Sequence, residues 1–169
     1  MKRIKVINEP SDLVPILRAL DSETRYAIFM ELIEGWHTQD EIVEKYGEEG
    51  EQAITYFEKT RLVETTWQPP ADKGREPIKA FRSYYTSFHL NVSLQINELA
   101  EVLSVAMMPD DQFAELEARI VDIIGSEGAY VGDVQKGMDM NLLRLRALVK
   151  RSVVLEYRGQ RIEPLLQNR

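Results

Sequence analysis

The chain has 169 residues, 44% of them hydrophobic and 29% charged, which excludes wholesale disorder and allows one good core or two small ones. It has no cysteine, so disulfides, thiolate metal sites and thiol redox switching are excluded, and no run approaches the roughly 20 apolar residues of a membrane-spanning helix. The net charge of −7 opposes a nucleic-acid partner on average, yet it is unevenly spread: residues 31–58 hold nine acids and one base, 59–90 carry +3, 91–128 carry −7 and 129–169 carry +4.

Met1 to Ile7 is basic but lacks the long apolar stretch of a secretion signal, and reads as a short strand or ordered arm of a cytoplasmic protein. Ser11 or Asp12 can cap a first helix with Leu13, Ile16, Leu17 and Leu20 inward. Asp21 or Ser22 opens a second helix with Arg25 (by its stem), Ile28, Phe29, Leu32 and Ile33 inward, stopping at Gly35. Thr38-Gln39-Asp40-Glu41 is a capping box that starts a third helix, with Ile42, Val43 and Tyr46 inward and Gly47 at its end. A fourth helix, about Glu49 to Thr60, turns Ala53, Ile54 and Phe57 inward. Leu62 to Trp67 and Ile78 to Thr86 then read as two strands joined by a loop rich in proline and basic residues. Helices followed by a hairpin with a basic tip are the order of a winged helix-turn-helix.

Ala19-Leu20-Asp21-Ser22-Glu23-Thr24-Arg25-Tyr26-Ala27-Ile28-Phe29 resembles the second-helix signature of the ArsR (arsenic-repressor-type) winged-helix regulators. Thr38 to Ile42, Ile54 with Phe57, and Leu62-Val63 fall where that family places its third helix, recognition helix and first wing strand. The resemblance covers residues 11–90 and implies a DNA-binding transcription regulator that works as a dimer. The sequence departs from the family in two places. The metal sensors carry cysteines on the third helix, whereas here His37 and His89 alone make a poor site, so no metal or other cofactor is expected. The start of the recognition helix is Glu48-Glu49-Gly50-Glu51-Gln52, whose carboxylates repel phosphate but also suit a helix N-terminus.

Gln52, Thr55, Tyr56 and Lys59 fall opposite Ala53, Ile54 and Phe57 and are the expected major-groove residues. Lys73 and Arg75 at the wing tip, with Lys79 and Arg82 on its strand, suit phosphate or minor-groove contact. The alternative is a solvated hairpin whose charges protect its edge. Trp67, Tyr84 and Tyr85 read as wing-packing residues.

A shift of 91 residues superposes apolar positions of the two halves: Phe29 on Ile120, Leu32 on Ile123, Ile33 on Ile124, Val43 on Val134, Ile54 on Leu145, Phe57 on Leu148, Leu62 on Val153 and Val63 on Val154. Asp110 or Asp111 starts a helix with Phe113, Leu116, Ile120 and Ile123 inward. Val131 to Lys136 and a segment from Asp139 or Asn141 form two more, and Val153 to Leu165 turns at Arg158-Gly159 as a small hairpin. The fold expected is therefore mostly α with small β-hairpin wings, two winged helices in tandem: residues 1–90, a linker or dimerisation helix at 91–109, and a reduced copy at 110–169. Chance alignment of amphipathic stripes is the competing reading. Arg144, Arg146, Lys150 and Arg151 give the second half a basic face, suited to phosphates or to the chain's own acidic segments. Val92, Ile96, Leu99 and Leu103 form a coiled-coil-like seam, either a homodimer interface or the packed side of a linker helix.

No catalytic constellation is visible, so an enzyme is not expected. Two functions follow: a regulator binding double-stranded DNA as a homodimer, and a tandem winged-helix module that has lost DNA binding and docks on a protein partner.

Overall fold

Helix caps and positive-φ stops set the element order in the computed structural model, which describes residues 3–70, 74 and 76–165. The chain divides into two units, Met1–Val6 with Ala19–Leu90, and Ile7–Arg18 with Asn91–Arg169. In chain order the first half holds β1 (Ile4–Ile7), a 3-10 turn (Pro10–Asp12), α1 (Leu13–Ala19), α2 (Glu23–Glu34), β2 (His37–Thr38), α3 (Gln39–Lys59), β3 (Val63–Gln68), β4 (Ile78–Ser83) and β5 (Ser87–Leu90). The second holds α4 (Ile96–Ala106), α5 (Asp110–Ile124), β6 (Ala129–Tyr130), α6 (Val131–Met138), α7 (Leu142–Arg151), β7 (Leu155–Arg158) and β8 (Arg161–Pro164). The protein is thus mainly helical with small sheets.

In the first unit the Ser22 hydroxyl caps α2 by accepting from the Arg25 amide at 3.1 Å. The Thr38–Glu41 box caps α3 in both directions, at 3.2 and 2.8 Å, satisfying donors that a helix start leaves free. The two helices expected on either side of Gly47 form one run, bent where Gly47 takes φ +62°, a left-handed conformation that costs glycine little. The two limbs then meet closely at Gly50. A β-carbon there would lie 2.9 Å from both the Ile42 carbonyl oxygen and the Tyr46 β-carbon. β4 lies between β2 and β3 with antiparallel pairing on both sides, Thr65 opposite Phe81 and Trp67 opposite Lys79. Ile28, Leu32, Ile54, Phe57, Leu62 and Phe81 fill the core, and Phe29 meets Phe57 edge-on with centroids 5.4 Å apart. β1 pairs with β5, so the N-terminal arm is a strand.

The second unit takes residues 7–18 from the N-terminal part of the chain, where residues 1–90 were expected to stay together. The reason is packing: Leu13 and Val14 join a cluster with Val102, Val105, Leu145 and Leu148. This also changes the inward stripe of α1. Val14 and Ile16 are buried while Leu17 and Leu20 are exposed, because a two-turn helix offers too few positions to fix its phase. Asn141 caps α7 through its side-chain oxygen, which accepts from the Arg144 amide at 2.8 Å. Of the α5 stripe, Ile120 is buried, but Ile124 is buried in place of Ile123. β8 lies between β6 and β7, with Tyr157 opposite Ile162.

Candidate nucleic-acid interface

The second limb of α3 starts from the Gly47 bend and is held against the first by the close pass at Gly50. The first limb is tied to α2, because Glu31 accepts from both Lys45 and Tyr46, the latter at 2.7 Å. The Lys45 ammonium, and after it the Tyr46 hydroxyl, hold the Glu31 carboxyl below its ordinary value. The outer side of the second limb then presents Glu48, Glu49, Glu51, Gln52 and Thr55 to solvent. Gln52 donates to Glu48 at 3.1 Å, and the Thr55 hydroxyl donates to the Glu51 carbonyl at 2.8 Å. Lys59 is half-buried. Tyr56 is not a groove residue: it is 7% exposed and belongs to the core, since it follows buried Ala53 by three residues and shares its side of the helix.

The hairpin cations are also placed differently from the expectation. Lys79 reaches Glu58 of α3 at 2.5 Å and lies 5.5 Å from the Phe81 ring centre. Arg82 donates twice to Glu64 on the facing strand, at 3.0 and 2.5 Å, stacks 4.8 Å from the Trp36 ring, and shares that carboxylate with Arg3 at 3.3 Å. The Arg82 guanidinium thereby holds the Glu64 carboxyl below the usual carboxylate range, more than burial raises it. Glu58, which lies outside residues 59–90, therefore answers part of their +3, while Glu64 is already counted in that sum. Lys73 and Arg75 lie outside the described residues. Trp67, read from the sequence as wing packing, is 67% exposed at the far end of β3. Tyr84 is also exposed, with Arg3 4.4 Å over its ring, and it meets Tyr85 edge-on.

In the second unit the four expected basic residues do not gather into one face. Arg144 pairs with Glu101 at 3.1 Å, Lys150 with Asp12 at 2.9 Å, and Arg146 sits 3.9 Å from Glu9. Arg151 is buried. Its guanidinium donates to the carbonyls of Val105 and Met108 at 2.8 and 2.6 Å and to Asp110 at 2.6 Å, with the Phe113 ring 4.4 Å away. Arg146 and Lys150 line an open cleft of about 370 Å³ with Asp12 and Tyr157. Burial pushes the Tyr157 hydroxyl up to about 12.

The seam on α4 divides in two. Val102, Val105 and Ala106 are buried in the unit's own core, while Ile96 is 90% exposed, Met107 is 77% exposed, and Leu99 and Leu103 are exposed between them. Val92 precedes the helix, so the stripe runs through residues 96, 99, 103 and 107 at helical spacing. Among the described residues no group of three or more His, Asp or Glu side chains is placed to hold a metal ion, and no helix is long and apolar enough to cross a membrane.

Compared with known families, residues 7–166 match the family described as ArsR transcriptional regulator, which is nearly the whole chain. Neither the curated proteins nor the solved structures gave a match.

Proposed function

Since the chain belongs to the ArsR family of transcriptional regulators, we propose that it is a cytoplasmic, DNA-binding winged-helix regulator acting as a homodimer. The observation that carries this reading is the bent α3 followed directly by the β3–β4 hairpin, which is the order of a helix-turn-helix with its wing. On this reading the second limb of α3 enters the major groove with Gln52 and Thr55 outward. The hairpin, with Lys73 and Arg75 in its connecting segment, lies along the backbone. The exposed stripe of α4 is the dimer seam. The regulator does not sense metal through cysteine, since the chain has none.

The second unit supports a tandem reading. Its sheet order, β6-β8-β7, has the same pattern as β2-β4-β3, and a helix pair with a positive-φ stop (Asp139, φ +49°) stands between the first strand and the hairpin in both. The decisive experiment is binding to genomic DNA fragments at several salt concentrations. Affinity should fall linearly on a log–log plot, and Lys73→Ala with Arg75→Ala should reduce its slope by about one for each phosphate that is no longer neutralised. Failure to bind any fragment at low salt overturns the reading.

One observation favours a second reading, a protein-docking module without DNA binding. The recognition limb opens with three exposed carboxylates, and Lys79 and Arg82 are already paired. Its mark is a protein partner that co-purifies as tightly after charge reversal at Lys79 and Arg82 as before.

A further inference from the structure

The exposure of Trp67 is the largest mismatch between a side chain's chemistry and its surroundings in the first unit. An indole buries a large apolar area when it finds a partner, yet this one is 67% exposed. Its cross-strand partner is Lys79, and residues directly opposite one another share a face of the sheet. The Lys79 ammonium reaches Glu58 on the second limb of α3. The indole therefore stands on the side of the hairpin that adjoins this limb, the limb whose outer side carries Gln52 and Thr55.

The electrostatics of this surface make such a group useful. Glu48, Glu49 and Glu51 are exposed on the limb, and Glu58 and Glu64 hold Lys79 and Arg82. The exposed carboxylates of this limb oppose phosphate, so a duplex held against it gains from a contact independent of charge. We propose that Trp67 supplies it: the indole packs into a groove of double-stranded DNA, against sugars and base edges, as an anchor insensitive to salt. The inference rests on the DNA-binding reading above and names the residue that would compensate for its acidic recognition limb.

The sequence has two tryptophans, so Trp36→Phe leaves Trp67 as the single indole reporter. A labelled mixed-sequence duplex is titrated with this chain while duplex anisotropy and tryptophan emission are followed together. The emission should change over the same concentrations as the anisotropy. In the otherwise unaltered chain, Trp67→Ala should weaken binding by about 5- to 150-fold, taking the range that aromatic contacts span on single-stranded nucleic acid as the scale for an indole buried on a duplex. Its log-affinity line against log salt should run parallel to the original, because the number of neutralised phosphates stays the same. Trp67→Phe should recover part of the affinity, and circular dichroism checks that both variants fold. If the duplex binds but Trp67 emission stays constant and Trp67→Ala binds equally well, the inference fails while the DNA-binding reading stands. A changed salt slope in Trp67→Ala, or an emission change on raising the protein concentration without DNA, overturns it too. If no variant binds at low salt, both readings fall.

Discussion

Truncating Ile96 to alanine removes three carbons from a side chain that is 90% exposed in the single chain, so the fold of the protomer should be indifferent to it. In a two-fold dimer built on the α4 stripe the same change acts twice, because each residue of an isologous interface occurs on both sides. At about 0.8 kcal/mol per buried carbon, full burial of Ile96 gives about 2.4 kcal/mol per copy and about 5 kcal/mol per dimer. That is a rise in dissociation constant of roughly 10³- to 10⁴-fold, an upper bound that falls with any exposure left at the seam. Met107, at 77% exposed, marks the other end of the stripe, and Met107→Ala should act in the same direction. Sedimentation equilibrium over a wide concentration range reads the effect, and thermal denaturation at a concentration where all chains are monomeric checks the fold. Two results refute the reasoning: a protein that stays monomeric throughout, or an Ile96→Ala chain that associates as tightly as the original. DNA binding is linked to the same change, since a two-fold operator rewards a dimer with two half-sites.

Arg151→Met should cost about 2–4 kcal/mol, because the carbonyls of Val105 and Met108 lose their charged donor while the desolvation of a buried guanidinium is relieved; a denaturation midpoint unchanged at constant slope argues against that role. Arg82 and then Arg3 hold the folded-state Glu64 carboxyl below its ordinary value, so its contribution is fully present above the ordinary carboxylate range and is lost as the pH falls through the lower folded value. Glu64→Gln should therefore lower stability by about 1 kcal/mol at most near neutrality. The difference from the original chain should vanish in acid, as read by urea midpoints across pH. Gly50→Ala tests the close pass of the α3 limbs. Helix propensity alone favours alanine by about 1 kcal/mol. The 2.9 Å approach to the Ile42 carbonyl and the Tyr46 β-carbon predicts instead a net loss of about 1–3 kcal/mol in calorimetry.

What was legible in the sequence is what acts over short distances along the chain. The Ser22 cap, the Thr38–Glu41 box and the Asn141 cap each join residues three apart, and a side chain that close can find only a few backbone donors. The Gly47 stop and the tight β7–β8 turn, where Arg158 pairs with Arg161, were readable for the same reason. Tyr56 shows where the pattern fails: a helix enclosed by its own hairpin buries a wider arc than the stripe of Ala53, Ile54 and Phe57, so a polar-tipped aromatic at the arc's edge turns inward. Trp67 shows the converse. Strand alternation gives it a face, but whether anything covers that face depends on where α3 ends.

Charge was the least readable quantity, because a count along the chain is not a field in space. Lys79 and Glu58 are 21 residues apart in sequence, and Arg151 and Asp110 are 41 apart, so no local window pairs them. Once paired, these cations contribute little long-range attraction to a phosphate backbone, whatever the segment total. A regulator built this way must draw affinity from contacts that do not scale with charge, or from cations in the segment between Pro70 and Glu76. The two sources have opposite signatures. Removing the first shifts the salt-dependence line without tilting it, and removing the second tilts it. Comparing Trp67→Ala with the Lys73→Ala and Arg75→Ala pair on one duplex therefore measures how the acidic recognition limb is compensated.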